Sequence, residues 1–128
     1  MSNPNKARGT KFESAVRDYL ISRGVPARRV AQTGRLDTGD IHGVSPFILQ
    51  AKAYRDMATA LRDGVAGANV QAPRAGEPFG AAVVKRPGKS IADAYVAMDL
   101  ATFASLLGFM AAISLDPDDP THPPIRQL

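Results

Sequence analysis

Phe12, Ala15, Val16, Tyr19 and Leu20 recur at intervals of three and four, the spacing that lines up side chains on one face of an α-helix. Gly24 and then Pro26 supply a stop, so a first helix is predicted from about Thr10 to that point. The pattern then changes period. Residues 27–32 read as a short, partly exposed strand, 33–39 as glycine-punctuated turn, and 40–44 as a second strand. Ser45-Pro46 breaks it, and residues 47–53 resume as a third strand, apolar enough to lie centrally in a sheet.

From Asp56 to Gln71, a stripe of Met57, Leu61, Val65 and Ala68 predicts a second helix. Gly64 and Gly67 weaken it, at about 1 kcal/mol each against alanine, and permit a close approach to the sheet. Residues 74–78 end this helix, 81–85 form a fourth strand, 86–89 a basic turn and 94–98 a fifth strand. Leu100, Phe103, Leu107 and Met110 mark a last helix over residues 100–113, whose stripe suits either core packing or an interface. Residues 1–9 are polar and read as a mobile arm, and 115–128 as a proline-rich tail that adds no core. One domain, residues 10–114, is expected. Its α-β-β-β-α-β-β-α order describes an α/β fold with a mixed five-stranded sheet flanked by helices, in which strands 40–44 and 47–53 run antiparallel.

With 128 residues, 45% of them apolar, the chain can bury one modest core. Its charge of +4 suits a polyanionic partner, and the distribution sharpens this. Lys6, Arg8, Lys11, Arg17, Arg23, Arg28, Arg29 and Arg35 fall in the first 35 positions against only Glu13 and Asp18, a balance that fits a phosphate backbone or a solvated helix face. The absence of cysteine excludes disulfides, thiolate metal sites and cysteine nucleophiles. Neither a secretory leader nor an apolar run of about 20 residues is present, so a soluble cytoplasmic protein is expected.

The candidate chemistry lies on the second and third strands. Asp40 precedes Gln50 by ten positions (50 − 40), and alternation puts Gln50 and Lys52 on one side of their strand, so a metal-ligand oxygen and an ammonium share a surface with whatever Asp40 approaches. Phosphodiester hydrolysis needs a nucleophilic water, charge stabilisation at phosphorus and a neutralised leaving oxygen. Carboxylates with Mg²⁺ supply most of this. Gln50 offers only a neutral carbonyl oxygen, which predicts weaker metal affinity; Lys52 can orient or deprotonate the water, or stabilise phosphorane charge. Arg8, Lys11 and Arg35 are candidates for phosphate contact beside the site, and Arg86 and Lys89 for a second strand. His42 is a weaker candidate ligand or base, Asp37 a substitute for Asp40, and His122 lies in the tail. Thr10 and Glu13 also have the spacing of a helix capping box.

Arg8-Gly9-Thr10-Lys11-Phe12-Glu13, then Gly39-Asp40-Ile41, then Gln50-Ala51-Lys52, resembles the PD-(D/E)XK nuclease pattern, and specifically the Holliday junction resolvases of archaea and some phages. The resemblance covers roughly residues 6–86, since 71–76 followed by a strand also match the second helix and fourth strand; nothing beyond residue 100 matches. It implies a restriction-endonuclease-like core and a site of Glu13, Asp40, Gln50 and Lys52, the first three holding Mg²⁺ or Mn²⁺. It also implies a homodimer that cuts branched DNA, encoded by a phage or mobile element. Gln50 departs from the pattern, which usually has glutamate there. The alternatives are another nuclease on the same core, cutting flaps or specific sites, and an inactive DNA-binding relic.

Overall fold

Residues 4–30 and 40–114 are described by the computed structural model, so Arg35, Asp37, His122, the 33–39 turn and the 115–128 tail lie outside the described residues. The chain divides into two compact units at Asp99. In the first, β1 (Arg28–Arg29), β2 (Asp40–Val44), β3 (Phe47–Lys52), β4 (Phe79–Val84) and β5 (Tyr95–Ala97) form one sheet in the order β1-β2-β3-β4-β5. Each neighbouring pair is antiparallel except β3 and β4, which run parallel because α2 (Met57–Arg74) carries the chain back between them. A mixed five-stranded α/β sheet is therefore what forms.

Side-chain alternation sorts the sheet into two faces. Ile41, Ala51 and Val83 meet Phe12 and Val16 of α1 (Pro4–Ser22), while Ala82 and Val84 meet Ala60 of α2. Helices thus cover both sides. Ile41, Ile48 and Val84 are fully buried, each contributing about 1.5–3 kcal/mol by leaving water. Phe47 and Phe79, register partners on β3 and β4, close one end of the sheet with ring centroids 5.4 Å apart.

Helix α1 starts at Pro4, well before Thr10, so Thr10 sits inside the helix and the capping-box reading of Thr10 and Glu13 does not hold. The predicted stop at Gly24 does: Val25 N–H donates to Leu20 O and Gly24 N–H to Ile21 O, both at 3.0 Å, tying off the last carbonyls. In α2 the predicted stripe is only part of the packing face: Ala68 is buried and Met57 and Val65 are partly buried against the core. Ala60, Gly64, Ala68 and Ala72 are buried at spacing four, whereas Leu61 is exposed. Small residues here let the helix lie close to β3 and β4. A methyl at Gly64 would sit 2.7 Å from Ala82 Cβ and 3.2 Å from Lys52 Cγ. Since Ala82 Cβ is fixed to the backbone, Gly64→Ala must push α2 outward, and the overpacking cost of about 1–3 kcal/mol exceeds the ~1 kcal/mol gain in helix propensity. A lower urea midpoint for this variant checks the point.

Asp56 caps α2, accepting from Ala58 N–H at 3.1 Å and Thr59 Oγ1 at 2.5 Å. The Thr59 hydrogen bond, ahead of the backbone bonds, holds its carboxyl below the usual carboxylate range. A carboxyl depressed on folding stabilises the fold above its unfolded pKa, and that contribution is lost as the pH falls through the folded value. Asp56→Ala should therefore be less stable than the parent at neutral pH, with the gap closing below about pH 4. Urea midpoints across that range test it.

Between Ile41 and Val44 the β2–β3 register slips. Gly43 makes this possible, with φ of +77° and Pro26 O only 2.1 Å from where a Cβ would stand, so no other residue fits. The second unit contains α3 (Leu100–Ser114), opened by Asp99, whose Oδ1 accepts from Thr102 N–H at 2.7 Å. This helix carries no charged residue and buries none of its side chains; Phe103, Leu107 and Met110 are all exposed. No helix among the described residues is long and apolar enough to cross a membrane.

Candidate functional site

Asp40 and Gln50 are direct register partners across the β2–β3 ladder, so their side chains leave the sheet side by side. Gln50 Nε2 donates a hydrogen bond to Asp40 Oδ1. Both residues are buried, Gln50 at 2% exposure and Asp40 at 9%. Burying such groups is tolerable only when their polar atoms are satisfied by one another.

Lys52 lies two residues beyond Gln50 on β3 and therefore on the same face, the one α2 covers. Its aliphatic stem passes Gly64, and its Nζ stands 5.6 Å from the centre of the Tyr54 ring. Gly67, one turn further along α2, stands over the Gln50 amide: a methyl there would be 3.1 Å from Gln50 Oε1. Three of the four proposed site residues thus share one surface under the glycines of α2.

Glu13 approaches from the other helix. It is buried on α1, and its Oε1 lies 3.6 Å from Arg29 Nη2. Arg29 pairs in register with Ile41, which places it on the α1 face of the sheet. Its Nη1 donates to Ser14 Oγ at 3.4 Å, and its buried Nε has no hydrogen-bond partner among the described residues. Arg29 entered the sequence reading only as one of many basic residues. The available signal was the adjacent Arg28-Arg29 pair, of which strand alternation must turn one inward.

The remaining candidates are dispersed. His42 is on β2 two positions from Asp40, in register with Arg28. Arg8 and Lys11 ride on α1, Lys11 exposed and Arg8 half-buried. Arg86 stacks on Tyr95, its guanidinium carbon 4.4 Å from the ring centre, and its Nη1 donates to Asp93 O at 3.5 Å. Lys89 is exposed in the turn before β5.

Among the described residues, no three or more histidine, aspartate or glutamate side chains are grouped to hold a metal ion. The Asp40–Gln50 pair nonetheless fits a small hard cation. It sets a carboxylate beside a side-chain amide from the adjacent strand, the amide nitrogen toward the carboxylate, and Mg²⁺ commonly takes one or two carboxylates and keeps several waters. Arg29 is set against Glu13, and Gln50 adds no charge beside Asp40, which favours modest cation affinity. Compared with known protein families, curated proteins and solved structures, the chain matches none.

Proposed function

We propose that this chain is a Mg²⁺-dependent, structure-selective DNA endonuclease with a restriction-endonuclease-like core, and that its substrate is branched DNA, foremost the four-way Holliday junction. The observation that carries this reading is the register pairing of Asp40 with Gln50 on the β2–β3 ladder, with Lys52 on the same face two residues along.

Asp40 and Gln50 would hold the cation; Glu13, the third ligand the resemblance implies, lies with Arg29 toward the α1 face. Bound there, Mg²⁺, or Mn²⁺ in its place, lowers the pKa of a water and offsets charge on the phosphate oxygens. Lys52 brings an ammonium to the same surface, to stabilise the phosphorane or, once deprotonated, to take a proton from the attacking water. α2 excludes bulk water from the Gln50 side, which strengthens the electrostatics of every group facing the phosphate. Arg8, Lys11 and Arg35 then serve one strand of DNA, and Arg86 and Lys89 another.

Symmetric cutting of a junction calls for a two-fold dimer, and the exposed apolar residues of α3 favour self-association. Such an enzyme acts in the cytoplasm on recombination or replication intermediates, as expected of a phage or mobile element. The bond from Gln50 to Asp40 favours one other reading, a DNA-binding relic that keeps the fold without cleaving.

Incubating the full chain with a synthetic four-way junction, a flap and a plain duplex, in Mg²⁺, Mn²⁺ or EDTA, separates these readings. Junction cleavage that needs the metal is expected, with affinity falling steeply as salt rises. Preferential cutting of flaps or of one duplex sequence would point to a different nuclease on this core. Binding without cleavage under both metals would establish the relic, and cleavage in EDTA would overturn the mechanism.

A further inference from the structure

The Gln50 amide has two unlike ends, and the structure uses them unequally. Nε2 faces Asp40, and Oε1 faces α2 at Gly67. This orientation follows from chemistry: two oxygens in contact need a proton or a cation between them, whereas an amide N–H brings its own proton. We propose that Gln50 is a two-position ligand. Without a cation its Nε2–H group stands in for one at Asp40, and on cation binding the amide turns over to present Oε1, using space that Gly67 leaves open.

Three observations bear on this. First, Gln50 is 2% exposed and its Nε2–H is directed at Asp40 Oδ1, so a cation arriving at that oxygen meets the amide and not bulk water. Second, a methyl at Gly67 would lie 3.1 Å from Oε1, 3.4 Å from Cδ and 3.7 Å from Cγ, which puts the missing side chain directly over the turning group. Turned over, the bulkier NH₂ would meet that methyl instead of the oxygen. Third, glutamate at this position could not play both parts, because a carboxylate has no hydrogen to give Asp40.

The consequence is a site that stays intact without metal, at a cost in affinity, since the cation must displace a hydrogen bond already made. The inference rests on the proposed metal-dependent reading, so its test separates the two. The probe is Mg²⁺ alone, added to the ¹⁵N-labelled full chain and followed by calorimetry and by the Gln50 side-chain amide resonances, assigned through their loss in Gln50→Glu. Expected are slow solvent exchange of that NH₂ without metal and a large shift with Mg²⁺, the shift and the binding heat both vanishing in Asp40→Asn. Gly67→Ala should keep the metal-free signal but lose about 10- to 100-fold in Mg²⁺ affinity. Gln50→Glu, with no amide to turn, should bind Mg²⁺ more tightly than the parent.

Binding heat with an unmoved amide, or parental affinity in Gly67→Ala, would overturn the turning group and leave the metal site standing. Absence of Mg²⁺ and Mn²⁺ binding would overturn the metal reading and the turn with it. Fast exchange of the NH₂ in the metal-free protein would overturn the stand-in role whatever the metal does.

Discussion

Lys52→Ala should cleave a four-way junction about 10²- to 10⁴-fold more slowly than the parent chain at saturating Mg²⁺, while binding the same junction in EDTA nearly as well. The expectation follows from position. Lys52 is the one residue that brings a cationic nitrogen onto the Asp40–Gln50 face of β3, and its stem is guided there by Gly64. Removing it would delete the proposed transition-state stabilisation but spare the α1 and β4–β5 bases proposed to bind the backbone. Lys52→Arg keeps the charge and gives up the capacity to accept a proton, so its residual rate isolates the electrostatic share. Parental turnover in Lys52→Ala would remove Lys52 from the chemistry.

A second large effect is expected at Gln50. Gln50→Glu puts two carboxylates side by side where the parent has a hydrogen bond, at a place almost closed to water. Losing that bond and burying like charges should cost about 2–4 kcal/mol in the metal-free protein, or roughly 10–20 °C in melting temperature for a domain of this size. Divalent metal should reverse the loss, because a ligand that binds the folded state restores about 2.7 kcal/mol at a hundred times its dissociation constant. The variant should keep or raise cleavage. Melting curves in EDTA and in Mg²⁺ check both halves, and a metal-free variant as stable as the parent would show that Asp40 and residue 50 do not face one another as described.

Much of this geometry could be read from local patterns. β2 and β3 have strong signals, an apolar run broken by Ser45-Pro46, and a hairpin between them leaves few ways to arrange Asp40 and Gln50. Other features depended on tertiary packing. The Phe79-Gly80 start of β4 looks like a continuation of the Glu77-Pro78 loop, since glycine is poor in strands; it pairs because Gly80 lets the Ala68 carbonyl come within 2.4 Å of the absent Cβ position. Helix α2 showed only part of its packing face for a related reason. A hydrophobicity stripe favours Leu61, but nearness to the sheet selects Ala60, Gly64, Ala68 and Ala72. Thr10 with Glu13 satisfied a capping rule that operates only at a helix start, and here the helix begins a turn and a half earlier. Which of Arg28 and Arg29 turns inward was not legible, because a two-residue strand is too short to show a period.

Strand β3 has a further implication, for how the protein wears out. All six of its residues pair with β4 on one side, and Phe47, Leu49 and Gln50 pair with β2 on the other, so the backbone that carries Gln50 is held from both sides. Local opening of loops or helix ends does not reach it, and its amides should be among the last to exchange with solvent. On the proposed reading, cleavage and global folding should then be lost together on heating. A preparation ageing in storage would hold a shrinking population of fully competent molecules, and not a uniform population of weakened ones.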